Sequence, residues 1–101
     1  YLDSAATSLQ KPPEVARAVA RAMHSCASPG RGDHAAAMRA AEAVFACREE
    51  AAALFHMTQP ENVVFTMNAT HALNIAIRSL VREGTRVAVS GFEHKAVMRP
   101  L

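Results

Sequence analysis

Residues 66 to 77 read TMNATHALNIAI, and a change of pattern within this stretch decides the fold. The run 63–66 (VVFT), which leads into this stretch, is β-branched and aromatic and predicts a short buried strand. Apolar residues then recur at helical spacing and predict a helix over residues 70–82. The small polar residues 68–70 stand between the two, where they either cap the helix or bind an anion.

A second short strand is predicted at residues 86–90 (RVAVS), followed by a loop at 91–94. The order strand, helix, strand predicts a βαβ unit with parallel strands and a right-handed crossover. Ligands of open α/β sheets bind beyond the carboxyl ends of the strands, so the loops 67–71 and 91–95 are the candidate site. Local sequence leaves two alternatives open at each loop. Asn68 either only caps the helix or stands beside a phosphate. His94 either faces water, or stacks on a flat heteroaromatic ring or transfers protons.

Two longer helices are predicted upstream. Pro12 and Pro13 suit a helix start, and the helix should end near Ala27, before the breaker sequence 28–32 (SPGRG). The next helix is predicted from about His34 to Phe55, followed by a turn at 59–62. The residues expected to face inward from these two helices and the helix at 70–82 are Val15, Ala18, Val19, Ala22, Met23, Met38, Ala41, Val44, Phe45, Ala52, Phe55, Leu73, Ala76, Ile77 and Leu80.

The composition is typical of a globular protein. Half of the 101 residues are apolar and 20% are charged, and a formal net charge of +2 without a basic run argues against nucleic-acid binding. Cys26 and Cys47 lack metal-site spacing, and we expect both to lie buried in helices as small apolar residues. A reduced, cytoplasmic setting is the simpler interpretation, and no metal site is predicted.

The two ends of the sequence lead us to expect a segment of a longer chain. The sequence opens at Tyr1 without an initiator methionine and closes at Pro100-Leu101, where a helix is expected to start. Two strands alone do not form a stable sheet. We therefore expect exposed apolar surface, with either self-association or dependence on a missing remainder.

Four stretches, taken together, resemble the class V aminotransferase family of pyridoxal-phosphate (PLP) enzymes, and within it the cysteine desulfurases. They are YLDSAATS at 1–8 with Lys11-Pro12, RGDH at 31–34, NATHALN at 68–74 and EHKAV at 93–97. The resemblance implies the N-terminal part of the α/β fold of fold type I PLP enzymes, with helices and the start of a mainly parallel sheet. Residues 1–60 would form the N-terminal segment and helices, and residues 61–101 would begin the large PLP-binding domain as a βαβ unit.

The resemblance also implies roles for single residues. Ala69 and Thr70 would hold the cofactor phosphate through backbone N–H groups and a hydroxyl, and His94 would stack on the pyridine ring and move protons in catalysis. The residues implied at the substrate end of the site are Ala5, Ala6, Arg31 and His34. His71 stands where the family usually has Glu, so any polar contact of that Glu is in doubt here.

Several residues needed for PLP chemistry have no counterpart in this sequence. In the family the Schiff-base lysine, the acidic partner of the pyridinium nitrogen and the desulfurase cysteine all lie downstream. The lysines Lys11 and Lys95 and the aspartates Asp3 and Asp33 match none of those positions. The segment alone is therefore not expected to be active.

For the full-length enzyme, the resemblance implies a homodimer that converts L-cysteine to L-alanine and passes sulfur to an enzyme cysteine, with a sulfur-acceptor protein as a possible partner. Neither nucleic acid nor a membrane is expected as a partner. Two alternatives stay open: another class V enzyme, such as an aminotransferase or a selenocysteine lyase, or a non-catalytic helical module.

Overall fold

The computed structural model describes all residues 1–101 and is helical. It contains α1 (Pro13–Ser25), α2 (Ala35–Leu54), a 3₁₀ turn (Pro60–Asn62), α3 (Ala69–Leu80) and α4 (Lys95–Met98). The chain divides into two compact units, Tyr1–Val63 and Val64–Leu101. None of the helices combines the length and the apolar character that a membrane crossing requires.

The predicted bounds of the first three helices are confirmed to within about two residues. α1 starts with a proline, whose missing N–H costs nothing in the first turn, and ends where Cys26 turns extended. α2 begins after His34 and ends before Phe55, as the pattern predicts. Only the expected helix start at Pro100 is wrong, because the last helix already ends at Met98.

In the first unit, two hydrogen bonds tie the end of α1 to the start of α2. The Ala27 N–H donates to the Ala36 carbonyl at 3.0 Å. The Arg39 side chain donates from Nε to the Ser25 carbonyl, also at 3.0 Å. The second bond satisfies a carbonyl at the C-terminus of α1 with a cation, which the helix dipole favours.

No β-strand is present, so the predicted parallel sheet and the βαβ crossover are corrected by the structure. Residues 63–66 and 86–90 form connections between helices instead of strands. The physical reason is that a strand is stable only when a neighbouring strand pairs with its N–H and C=O groups. The β-type composition of a segment is compatible with pairing but does not supply the partner.

Burial is also much lower than the periodicity predicts. The only buried residues are Ala37, Ala40 and Ala52 in α2 and Ala96 in α4. The expected inward face of α1 is wholly exposed, with Val19 at 55% and Met23 at 79% exposure. Of the inward residues expected elsewhere, Ala52 is buried and Ala41, Leu73 and Ile77 are half-buried, while the others are exposed. The periodicity identifies an apolar face correctly, but no other element covers it.

Candidate functional site

The start of α3 is capped by Asn68. Its backbone is extended and its Oδ1 accepts the His71 N–H at 2.9 Å, so Asn68 does cap the helix. This bond uses only the third N–H of the helix. The N–H groups of Ala69 and Thr70 have no intrahelical acceptor, as is usual in a first turn. Capping by Asn68 and binding of an anion by Ala69 and Thr70 therefore use different donors and do not compete.

The polar side chains near Thr70 form hydrogen bonds that do not involve its hydroxyl. The Asn74 side-chain amide donates to the Thr70 carbonyl at 2.9 Å, one turn along α3. Thr66 donates its hydroxyl to the Asn68 carbonyl at 3.0 Å and stabilises the turn into the helix. The Thr70 hydroxyl itself has no protein partner. It is a free donor at the first turn of a helix.

The loop before α4 is closed by side-chain hydrogen bonds. The Ser90 hydroxyl donates to the Glu93 carboxylate at 2.8 Å, and the same hydroxyl oxygen accepts the Phe92 N–H at 3.3 Å. His94 then caps α4, because its Nδ1 accepts the Ala96 N–H at 3.1 Å. With Nδ1 used as an acceptor, the proton of the neutral imidazole is on Nε2. The Nε2–H is left as a donor.

Thr70 and His94 line one cavity in the second unit. The cavity has a volume of about 380 Å³, and its lining residues are Thr70, Asn74, His94, Lys95, Ala96 and Arg99. The two residues come from separate stretches of sequence and meet because α3 contacts α4. Sequence reasoning missed Lys95 and Arg99 as site residues, although their i,i+4 spacing directly after His94 places them on one helix face.

The remaining predicted site residues belong to the first unit. Ala5 and Ala6 lie in a turn in which the Ala6 N–H donates to the Asp3 carbonyl at 3.1 Å. His34 caps α2, because its Nδ1 accepts the Ala37 N–H at 3.3 Å. Arg31 is exposed. The substrate roles of these four residues stay predictions.

The position of Gly32, two residues before the His34 cap, requires glycine, for two reasons. Its φ is +138°, a region that side chains other than glycine rarely adopt. A Cβ at this position would also lie 3.2 Å from Cδ2 of the His34 ring. Glycine therefore provides both the backbone conformation and the space for the ring that caps α2.

Both cysteines differ from their predicted environment. Cys47 lies in α2 as expected, but it is exposed. Cys26 is half-buried and lies just after the last residue of α1, where the backbone is extended. The expectation of two buried helical cysteines is wrong, because α1 ends before Cys26 and no element covers the face of α2 that carries Cys47.

Comparison with known proteins identifies the family to which this chain is similar. The family model described as Aminotransferase class-V matches residues 1–101. The chain is 34% identical to a cysteine desulfurase of Pectobacterium carotovorum and 36% identical to a probable cysteine desulfurase of Pseudomonas aeruginosa. Each match covers 99% of this chain but only 26% of the relative. No solved structure gives a significant match.

The chain matches only one part of these relatives. The chain spans about a quarter of their length, and the match runs through all the stretches that line the cavity. Class V aminotransferases are PLP-dependent enzymes of fold type I. With a family model that matches every residue and relatives at about 34% identity, the chain belongs to the class V aminotransferase family.

Proposed function

We propose that this chain is the N-terminal portion of a PLP-dependent cysteine desulfurase-like enzyme and holds the phosphate end of the cofactor. The observation that carries the proposal is the shared cavity of Thr70 and His94. Thr70 lies in the first turn of α3 and His94 precedes α4, and the family resemblance implies a cofactor contact for each. That the two residues line one cavity supports a common ligand.

The donors of the cavity fit a phosphate. A phosphate monoester carries only acceptor oxygens on its charged end, and it binds best to backbone N–H groups, hydroxyls and cations. The first turn of α3 offers the N–H groups of Ala69 and Thr70, which the Asn68 cap leaves unused. Thr70 lines the cavity, and Ala69 is the residue directly before it. The Thr70 hydroxyl adds a third donor from the same turn. No carboxylate lines the cavity to repel an anion.

His94 is suited to lie against a flat heteroaromatic ring. Its ring is held by the bond from the Ala96 N–H to Nδ1, so the imidazole is oriented before any ligand binds. The Nε2–H is then free to donate to a ligand or to exchange a proton with it. Orientation of the imidazole by a helix cap would reduce the entropy lost on ring stacking.

Within the whole enzyme, PLP supplies an electron sink for carbanion chemistry at the amino acid. The proposed reaction converts L-cysteine to L-alanine and passes the sulfur to an enzyme cysteine, and from there to a sulfur-acceptor protein. The family-typical lysine, acidic partner and cysteine would come from the rest of a longer, homodimeric protein in the cytoplasm. Ala5, Ala6, Arg31 and His34 would then line the substrate end.

The test uses the protein expressed from the whole reading frame, with and without Thr70→Ala. We expect the visible absorbance of lysine-bound PLP and release of alanine from L-cysteine. Loss of the Thr70 hydroxyl should weaken cofactor retention by on the order of tenfold, because a hydrogen bond to a charged group contributes about 1.5–3 kcal/mol. Thr70→Ser keeps the hydroxyl and should retain most of the affinity.

Other outcomes select the alternatives. Amino transfer to a keto acid, or activity with selenocysteine only, would move the protein to another class V reaction. A protein that takes up no PLP at all would overturn the proposal in favour of a non-catalytic helical module.

A further inference from the structure

The cavity described above contains two cations that have no protein partner. Lys95 and Arg99 both line it, and they are four residues apart in and just after α4. Neither side chain forms a hydrogen bond or an ion pair. The nearest carboxylate in sequence, Glu93, accepts the Ser90 hydroxyl and does not line the cavity. The positive charge of the cavity is therefore not neutralised by the protein.

Nearly all the free polar groups of the cavity are donors. They are the Thr70 hydroxyl, the Nε2–H of His94, the Lys95 ammonium and the Arg99 guanidinium. Asn74 is the exception, since its amide N–H already donates to Thr70 and its oxygen is an acceptor. A lining with two cations, other free donors and no carboxylate is complementary to a ligand with several charged oxygens. A neutral or cationic ligand would leave these groups bonded to water only.

We propose that Lys95 and Arg99 form a cationic pair that binds the dianionic phosphate of a phosphate monoester in this cavity. The inference deepens the proposed function and rests on it, because the phosphate-bearing cofactor would occupy the same cavity. The arginine provides a planar fork for two phosphate oxygens, and the lysine adds a point charge one helical turn away. The pair would make the cavity select phosphorylated over unphosphorylated ligands.

The exposure of the two side chains determines how phosphate binding by the pair should depend on ionic strength. Both Lys95 and Arg99 are exposed, so their charges are partly screened by salt. Binding through them should therefore weaken as the ionic strength rises. A contact made only by backbone N–H groups and a hydroxyl would respond less to salt.

The experiment titrates the protein expressed from the whole reading frame and freed of PLP with pyridoxine 5′-phosphate, which has an alcohol in place of the aldehyde and cannot form an imine with a lysine. Unphosphorylated pyridoxine and inorganic phosphate are titrated in parallel, and isothermal titration calorimetry measures the affinity of each. The test variant is Lys95→Met with Arg99→Met. The matched control is Arg78→Met with Arg82→Met, which removes the same charge from exposed positions of the same unit that do not line the cavity.

We expect the Lys95/Arg99 double variant to bind pyridoxine 5′-phosphate and inorganic phosphate at least about tenfold more weakly than the unaltered protein, the loss expected for one charged hydrogen bond. The control should stay within about twofold, and pyridoxine should bind equally weakly to all forms. The charge-conserving variants Lys95→Arg and Arg99→Lys should keep most of the phosphate affinity, and circular dichroism checks that helix content is unchanged.

Three outcomes would overturn the inference: equal phosphate affinity in the double variant, an equal loss in the control, or no phosphate binding by the unaltered protein. If Thr70→Ala loses binding while the Lys95/Arg99 variant does not, the proposed phosphate turn stands and only the cationic pair is rejected. If the Lys95/Arg99 variant loses binding while Thr70→Ala does not, the pair is supported and the role of Thr70 falls. The proposed function itself is judged by PLP uptake of the protein from the whole reading frame.

Discussion

At the scale of single residues, three helix starts are set by side-chain caps. Asn68, His34 and His94 each accept a backbone N–H from the helix that follows, at 2.9, 3.3 and 3.1 Å. Asparagine is among the preferred residues for this position, whereas histidine is not. The two histidines are the same residues that the family resemblance places in the site. Capping therefore accounts for how their rings are oriented, and a ligand contact would be an additional role.

The Asn68 cap can be tested by Asn68→Ala. Loss of the side-chain acceptor leaves the His71 N–H without a partner, and we expect α3 to lose about 1 kcal/mol of stability. Amide hydrogen exchange of residues 71–74 should speed up about fivefold. Asn68→Asp keeps the acceptor and adds a negative charge at the helix N-terminus, which the dipole favours, so exchange should stay slow. Equal exchange in Asn68→Ala and the unaltered chain would show that the cap does not stabilise α3.

At the scale of elements, the contact between α3 and α4 forms the cavity. α4 has only four residues, too few to be stable as an isolated helix, so it depends on its packing against α3 and on the His94 cap. Ala96 is its one buried residue, with 7% exposure. A methyl group at this position allows close approach between the two helices. The geometry of the cavity therefore depends on a small residue next to His94.

Ala96→Leu should separate α4 from α3. Three added heavy atoms at a buried position typically cost about 1–3 kcal/mol, because the neighbouring backbone must move. We expect weaker hydrogen-exchange protection in α4 and a changed environment for Thr70 and His94, measured by amide chemical shifts. Met98→Leu on the same helix changes an exposed residue of similar volume and should stay within about 0.5 kcal/mol. An unchanged spectrum around Thr70 in Ala96→Leu would contradict the role of this contact.

At the scale of the whole molecule, the chain leaves more surface exposed than folded units of its length usually do. The 101 residues expose 8859 Å². Two separately folded units of these lengths would expose only about 6,600 Å² together, by the usual relation between mass and surface area. Large apolar residues account for part of the excess, including Leu2, Met67 and Phe92, which are 88% exposed or more. The expected exposed apolar surface is confirmed.

The chain by itself should therefore self-associate through apolar faces such as that of α1. We expect sedimentation velocity to show concentration-dependent association, and a hydrophobic dye to bind the chain. Val19→Lys, on the apolar stripe of α1, should reduce association, because a charge on this face must be desolvated. Ala20→Lys adds the same charge to the polar side of the same helix and should have little effect. A chain that stays monomeric at all concentrations, with a single cooperative unfolding transition, would contradict this prediction.

The sequence by itself determined the main helices and the Asn68 cap. Proline at the start of α1, Asn68 before α3 and the apolar periodicity of α1 and α3 act within one or two turns, so local sequence contains the information. Local sequence also placed Thr70 and His94 in two loops that could converge on one ligand. Their roles toward a cofactor came from the resemblance of four stretches to one family.

Only the tertiary structure decided pairing, burial and the full lining of the cavity. The β-type runs at 63–66 and 86–90 found no partner strand, and the apolar face of α1 found no covering element. Lys95 and Arg99 became site residues only because α4 contacts α3. Each of these outcomes depends on groups far apart in sequence, whose contacts are paid for in chain entropy and are not encoded by any single stretch.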